Sequence, residues 1–157
     1  RCYGEDMIRP ARVDEALLLS DLGLRSKAYW GYSPEFIEQC REELSYSEEQ
    51  LRAEHMRFFV IESAQLVAGF YALKRLSATE VELEAMFVEP ARIGQGFGRL
   101  LIEHAKSVAS TMGARQLTIQ SDPYAENFYV AAGGVVTGTR ESASIPGRYL
   151  PTLVITV

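Results

Sequence analysis

Apolar and polar positions change period several times along the chain, and each change marks an element. Met7 to Arg12 reads as a short strand. From Asp14 to Tyr29 apolar residues recur at helical spacing, with Leu17, Leu18, Leu22 and Ala28 near one face, which predicts an amphipathic helix. Trp30-Gly31-Tyr32-Ser33-Pro34 interrupts it. Ser33 as N-cap with Pro34 at the first helical position predicts a second helix over about 35–44. Ser47 and Gln50 have capping-box spacing for a short helix to about 55. Arg57–Glu62 and Gln65–Lys74 read as strands around a tight connection at Ser63-Ala64, and Val81–Val88 is a third strand in succession. A helical pattern follows over about 98–112 and stops before Gly113. Gln116–Gln120 is a strand, Asp122-Pro123 opens a helix to about Ala132, and Val135–Arg140 and Leu150–Val157 are closing strands. This succession predicts an α/β (α+β) fold: a mixed, mostly antiparallel central sheet of six to seven strands flanked by about four helices.

Composition narrows the classes. A chain of 157 residues, 47% hydrophobic, is the size of one domain with one core. Residues 1–6 read as an N-terminal extension without the apolar core of a signal peptide, and 7–157 as a single domain. With 16 Lys and Arg against 21 Asp and Glu, the net charge of −5 does not suit phosphate-neutralising nucleic-acid binding or attachment to an anionic membrane. No apolar stretch reaches the roughly 18 residues of a membrane span. Cys2 and Cys40 make no disulfide framework, and together with His55 and His104 they show no metal-type spacing. The expectation is therefore a cytoplasmic protein with no metal and no nucleic-acid or membrane partner.

Residues 88–101, Val-Glu-Pro-Ala-Arg-Ile-Gly-Gln-Gly-Phe-Gly-Arg-Leu-Leu, are the most informative stretch. Gly94, Gly96 and Gly98 alternate through a loop between an apolar strand and a helical pattern. Glycines at this density let the backbone approach a ligand closely, and the helix that opens behind them adds unpaired N–H groups and the positive end of its dipole. The combination is a cradle for a phosphate or pyrophosphate; the plain alternative is a glycine-rich turn. A dinucleotide fingerprint fails on residues, because from Gly94 or Gly96 its last glycine position holds Arg99 or Leu101. The terminal Gly-Lys-Ser/Thr of a nucleotide P-loop is absent.

This element order, with a glycine loop after the fourth strand, resembles the GCN5-related N-acetyltransferase (GNAT) family. Leu83-Glu84-Ala85-Met86-Phe87-Val88-Glu89-Pro90 running into Gly94-Gln95-Gly96-Phe97-Gly98-Arg99-Leu100-Leu101 is similar to the family's acetyl-CoA pyrophosphate site. Asp122-Pro123-Tyr124-Ala125-Glu126-Asn127-Phe128-Tyr129 with Gly133-Gly134 is similar to its second motif. The resemblance covers nearly the whole chain from Met7. Two positions depart from it: Ile93 stands where the family usually has Gln or Arg, with Arg92 one residue earlier, and Gly134 stands where an aromatic is usual.

The resemblance implies transfer of the acetyl group of acetyl-CoA, as cosubstrate, to a primary amine of a small molecule or peptide. A lysine-like amine has a pKa of ~10.4, so presenting it neutral at pH 7 costs about 4.6 kcal/mol, and a base must take its proton. Glu84, on the strand beside the loop, is the candidate base. Glu82 has the same strand parity, and a solvated strand face is the plain reading of both. Tyr129 matches the family's tyrosine acid for the departing thiolate, against a packed core tyrosine. The resemblance implies cofactor contacts from Met86, Phe87 and Val88, with a backbone N–H near Phe87 for the thioester oxygen. It implies further contacts from Gly94, Gln95, Gly96, Phe97, Gly98 and Arg99 to phosphate, and from Asn127 to the pantetheine arm. Trp30 and Tyr32 are candidate acceptor contacts, either boxing a cationic amine or forming a lid or plug. Arg148 is a third, suited to a carboxylate or phosphate. His104 reads as a packed histidine. Neither cysteine sits in a nucleophilic context, so direct transfer in a ternary complex is expected. The resemblance also allows a homodimer. Two rivals stay open: a non-catalytic acyl-CoA-binding or sensing domain, which needs neither Glu84 nor Tyr129, and a transferase for another acyl group.

Overall fold

The structure is a computed structural model that describes residues 6–157. Cys2 and most of the expected N-terminal extension therefore lie outside the described residues. Seven strands form one sheet in the order β1-β2-β3-β4-β5-β7-β6. They are β1 (Met7–Pro10), β2 (Met56–Ser63), β3 (Leu66–Arg75), β4 (Glu80–Val88), β5 (Gln116–Gln120), β6 (Val135–Glu141) and β7 (Tyr149–Thr156). Every pairing is antiparallel except β4 with β5. Five α-helices flank the sheet: α1 (Ala16–Ala28), α2 (Pro34–Cys40), α3 (Glu48–Arg52), α4 (Phe97–Thr111) and α5 (Glu126–Ala131).

Caps and turns act where local chemistry dictates. Ser33 accepts from the Phe36 N–H, and Ser47 with Gln50 closes a full capping box. The β2–β3 connection turns at Ala64-Gln65, one residue later than expected, with both residues left-handed (φ 53° and 66°) as a two-residue hairpin of this twist requires.

The apolar face of α4 (Leu101, Ile102, Ala105, Ala109) packs with Leu73, Leu83, Leu117 and Tyr129 on one side of the sheet. On the other side Leu19 and Leu22 of α1 pack on Phe58, Val60, Phe70 and Ala85. Leu101 and Ile102 are 0% and 1% exposed, and burying each stabilises the fold by roughly 1.5–3 kcal/mol.

The α1 face differs from the expected one. Leu17 and Leu18 are 73% and 43% exposed and Ala28 is exposed, whereas Ser20, Gly23 and Ser26 face inward with Leu19 and Leu22. Small residues on the inner stripe bring the helix down onto β4, where a Cβ on Gly23 would lie 3.6 Å from the Phe87 ring. A search for the largest apolar side chains overlooks a stripe selected for close approach.

The feature that creates a site is where the sheet comes apart. β4 and β5 pair only from Glu80↔Gln116 to Leu83↔Ile119. β4 then continues to Val88 with β3 as its one neighbour. The separation begins at a bulge: Ala72 pairs with Ala85 and Leu73 with Leu83, leaving Glu84 as the extra residue. The bulge also exchanges faces. Val81 and Leu83 pack in the α4 layer, whereas Ala85 and Phe87 pack in the α1 layer.

Candidate active site

A cavity of about 800 Å³ fills the opening between β4 and β5 and runs to the start of α4. Its β4 wall offers backbone groups. Glu89 donates its N–H to the Ala68 carbonyl on β3 at 2.8 Å. By the alternation of an antiparallel ladder, Phe87, paired with Phe70, also points its N–H at β3. Met86 and Val88 turn theirs to the open side. The expected donor near Phe87 is thus displaced by one residue to either side, and the Phe87 ring packs instead toward Gly23 and Phe70.

The glycine loop forms the second wall. Pro90–Arg92 make a 3₁₀ turn, and Gly94 and Gly96 then adopt φ of 86° and 90°, which a side chain would strain. Gly96 is the N-cap of α4, so the N–H groups of Phe97, Gly98 and Arg99 open toward the cavity at the positive end of a four-turn helix. Gly98 answers a different need: a Cβ there would press on the Phe128 ring at 3.2 Å. Arg92 folds back onto the loop. Its guanidinium lies 4.8 Å from the centre of the Phe97 ring and donates to Ser63 Oγ at 2.8 Å and Gln95 Oε1 at 3.1 Å. Arg92 and Gln95 therefore brace the loop. Arg99 is exposed, lines the cavity and has no ion pair among the described residues.

Glu84 and Tyr129 stand on the two banks of the opening. The Glu84 carboxyl is pushed up to about 7, first by partial desolvation at the cleft, although the residue as a whole is exposed, and then by the adjacent Glu82 carboxyl, with Lys74 acting in the opposite direction. Arg140 lies 3.9 Å from Glu82. Tyr129 is 7% exposed, and its hydroxyl has no hydrogen-bond partner among the described residues. Burial, and after it the Asp122 carboxylate, hold this phenol above its ordinary range, so it carries its proton at neutral pH.

A third group of side chains gathers around Asp122. Its carboxylate accepts from Lys27 Nζ at 2.7 Å, from the Tyr32 hydroxyl at 3.0 Å and from the Tyr124 N–H at 2.9 Å. Arg148 donates to the Tyr32 hydroxyl at 2.8 Å and lies over the Phe36 ring at 4.8 Å. Burial works against the Asp122 charge, but the Lys27 ammonium and the N–H and O–H donors outweigh it and hold the carboxyl below its usual range. Trp30 stacks on Tyr124 with ring centroids 5.3 Å apart. One carboxylate thus joins the end of α1, the α1–α2 connection, the entry to α5 and the β6–β7 loop.

Of the residues singled out in the sequence, Glu84, Met86, Phe87, Val88, Gly94, Gly96, Phe97, Gly98, Arg99, Tyr129 and Trp30 line the cavity. Gln95, Tyr32 and Arg148 do not; they support its walls as described. Asn127 is exposed on α5 and does not face the cavity. His104 is half-buried and bonded to the Tyr71 hydroxyl at 2.7 Å, away from the opening. Sequence reasoning overlooked Lys27 and Tyr46, which line the cavity, and saw Asp122 only as a helix cap. Nothing in the local pattern marks these residues, because their partners come from distant segments. Among the described residues no group of three or more His, Cys, Asp or Glu side chains is placed to hold a metal ion, and no helix is long and apolar enough to cross a membrane.

A sheet parted between two parallel strands, with a glycine loop and a helix N-terminus at the gap, defines an acyl-CoA-type transferase fold. The sequence matches the model of the acetyltransferase (GNAT) domain over residues 23–144. The chain belongs to the GNAT acetyltransferase family. Solved structures with the same fold include a PaiA N-acetyltransferase from Thermoplasma acidophilum in complex with coenzyme A, at 19% identity, 98% and 99% coverage of the two chains and a TM-score of 0.80. A spermidine N-acetyltransferase chimera from Vibrio cholerae matches at 22% identity, 96% and 95% coverage and a TM-score of 0.73. The Escherichia coli ribosomal-protein alanine N-acetyltransferase matches at 18% identity, 97% and 94% coverage and a TM-score of 0.72. At these identities the likeness concerns the fold. No curated protein matches the sequence significantly.

Proposed function

We propose that this protein is an acetyl-CoA-dependent N-acetyltransferase that moves the acetyl group directly to a primary amine of a small molecule or peptide. The observation that carries the reading is the parted sheet, with a proton acceptor on one bank, a proton donor on the other and an anion cradle at its end. The residues fit an acyl-CoA. The N–H groups of residues 97–99 and the Arg99 side chain suit the pyrophosphate, and the free edge of β4 at Met86 and Val88 suits the amide-bearing arm. When bound, acetyl-CoA supplies the activated acyl group.

The chain's own groups do the rest. Glu84 takes the proton of the amine as its nitrogen bonds to the acyl carbon. An N–H on the open side of β4 faces the oxygen where negative charge gathers, without having to reorganise. Tyr129 gives its proton to the sulfur as the carbon–sulfur bond breaks, and both groups are restored through water that reaches the cleft. Cys40 lines the cavity but is 3% exposed, and among the described residues the one hydrogen bond to its sulfur comes from the Ser144 hydroxyl at 3.9 Å rather than from a base, which supports direct transfer over an acyl-enzyme.

Titration calorimetry with acetyl-CoA, CoA and NAD, followed by thiol-release assays with spermidine, lysine and a peptide beginning with alanine, tests the proposal. Binding of acetyl-CoA but not NAD, with thiol release on addition of one of these amines, is expected. Tyr129→Phe should lower kcat by roughly 10²–10⁴ with acetyl-CoA affinity little changed. Failure to bind acetyl-CoA would refute the reading. Binding without transfer, in the wild type, would favour a sensing domain.

A further inference from the structure

Tyr46 lies between α2 and α3, in a segment to which sequence analysis assigned no role. Three contacts immobilise it. Its N–H donates to the Ser20 hydroxyl on α1 at 2.8 Å. The edges of its ring meet Phe58 at 5.7 Å and Phe70 at 5.6 Å between centroids, on the α1 side of the sheet. A side chain held this firmly has little freedom to seek a partner for its hydroxyl.

Four described tyrosines are less than exposed: Tyr32, Tyr46, Tyr71 and Tyr129. Tyr32 bonds Asp122, and Tyr71 bonds His104. Tyr46 and Tyr129 make no hydrogen bond through their hydroxyls to any described residue, and these two line the cavity. No fully enclosed side-chain polar atom among the described residues lacks a partner, so neither hydroxyl is sealed in the core, and both belong to residues that line the cleft. They sit on opposite banks. Tyr129 belongs to the α4 layer, whereas Tyr46 packs in the α1 layer, on the side to which the bulge turns β4 at Glu84. The Glu84 charge acts on the Tyr46 phenol, which burial first and that charge second hold protonated. Tyr46 is thus a neutral group that can accept or donate one hydrogen bond without competing with Glu84 for a proton.

We propose that the Tyr46 hydroxyl is an acceptor-binding group: its oxygen accepts an N–H bond from the incoming amine and holds the nitrogen beside Glu84. This rests on the reading of the cleft as the site of acetyl transfer. A fixed phenol and a carboxylate on the same bank define where the nitrogen stands before it loses its proton.

Tyr46→Phe removes the hydroxyl and keeps the ring in its aromatic contacts. The melting temperature and the acetyl-CoA dissociation constant should equal those of the wild type. For whichever of spermidine, lysine or the alanine peptide the wild type acetylates, kcat/KM should fall roughly 10- to 100-fold, mainly through KM for the amine, with the pH midpoint near that of the wild type. A purely structural tyrosine predicts no such change, because the hydroxyl makes no hydrogen bond to any described residue. Unchanged kcat/KM in Tyr46→Phe, beside an active wild type, overturns the Tyr46 assignment and leaves the acetyltransferase reading standing. Weakened acetyl-CoA binding with an unaltered amine KM overturns it too, by placing the hydroxyl on the other substrate. A wild type that binds acetyl-CoA but transfers to none of these amines overturns both readings.

Discussion

Glu84 titrates near neutrality because of its place on the bulge. The extra residue of β4 stands at the cleft beside Glu82, partly desolvated by the cleft walls while still reached by water. With its carboxyl pushed up to about 7, Glu84 exchanges its proton close to neutral pH. As a base it needs its charged form, so kcat/KM should rise with pH through a midpoint near 7. Glu84→Gln should abolish that limb and lower kcat/KM by roughly 10²–10⁴, measured as a pH–rate profile with the accepted amine. The same shift has a consequence for stability. The folded-state pKa lies above the ordinary 4.5, so the contribution of Glu84 is complete below about 4.5 and is lost as pH rises toward 7. Glu84→Gln, which stays neutral, should therefore raise the melting temperature at pH 8 and leave it nearly unchanged at pH 5. Water reaches this side chain, so the rise will be small.

At the scale of elements, the loop and α4 act as one unit. Gly96 ends the loop and caps the helix in a left-handed conformation, with open space where a Cβ would stand. The cost of a side chain there is conformational, about 1–2 kcal/mol. Gly96→Ala should lower stability by that amount in a denaturant titration. It should also weaken acetyl-CoA binding in calorimetry, because relieving the strain rotates the N–H groups of residues 97–99 away from their common direction. Arg92 shows how the element compensates for Ile93. Its guanidinium stacks on Phe97 and ties Ser63 to Gln95 while lining the cavity, so an arginine one residue earlier braces the loop.

At the scale of the molecule, two half-sheets meet over only four residue pairs of β4 and β5. Beyond Leu83 and Ile119 they are joined across the cleft by side chains, with Lys27 on Asp122 and Trp30 on Tyr124. A ligand that fills the opening touches both halves and binds only the folded chain. Acetyl-CoA at 100 times its dissociation constant should therefore stabilise the protein by about 2.7 kcal/mol, a rise of roughly 5–10 °C in melting temperature by calorimetry. NAD should give no shift.

The order of strands and helices and the glycine loop were legible because each depends on neighbours in the chain, whereas Glu84 and Tyr129 became candidates through the family resemblance. Periodicity, Ser and Asp caps and glycine spacing are local signals that folding preserves. The inner face of α1 was not legible, because Ser20, Gly23 and Ser26 are selected by how closely β4 approaches. Nor was the choice of Met86 and Val88 over Phe87 as open donors, since the register with β3 determines which N–H groups are already used. Lys27, Asp122 and Arg148 meet from three distant segments, and the place of the Tyr46 ring is set by Ser20 of α1, Phe58 of β2 and Phe70 of β3. Local physics set which elements form and which residues have suitable chemistry. Long-range packing set which of those groups face the cleft and at what pH they exchange a proton, because burial and charge neighbours exist only once the chain has closed on itself.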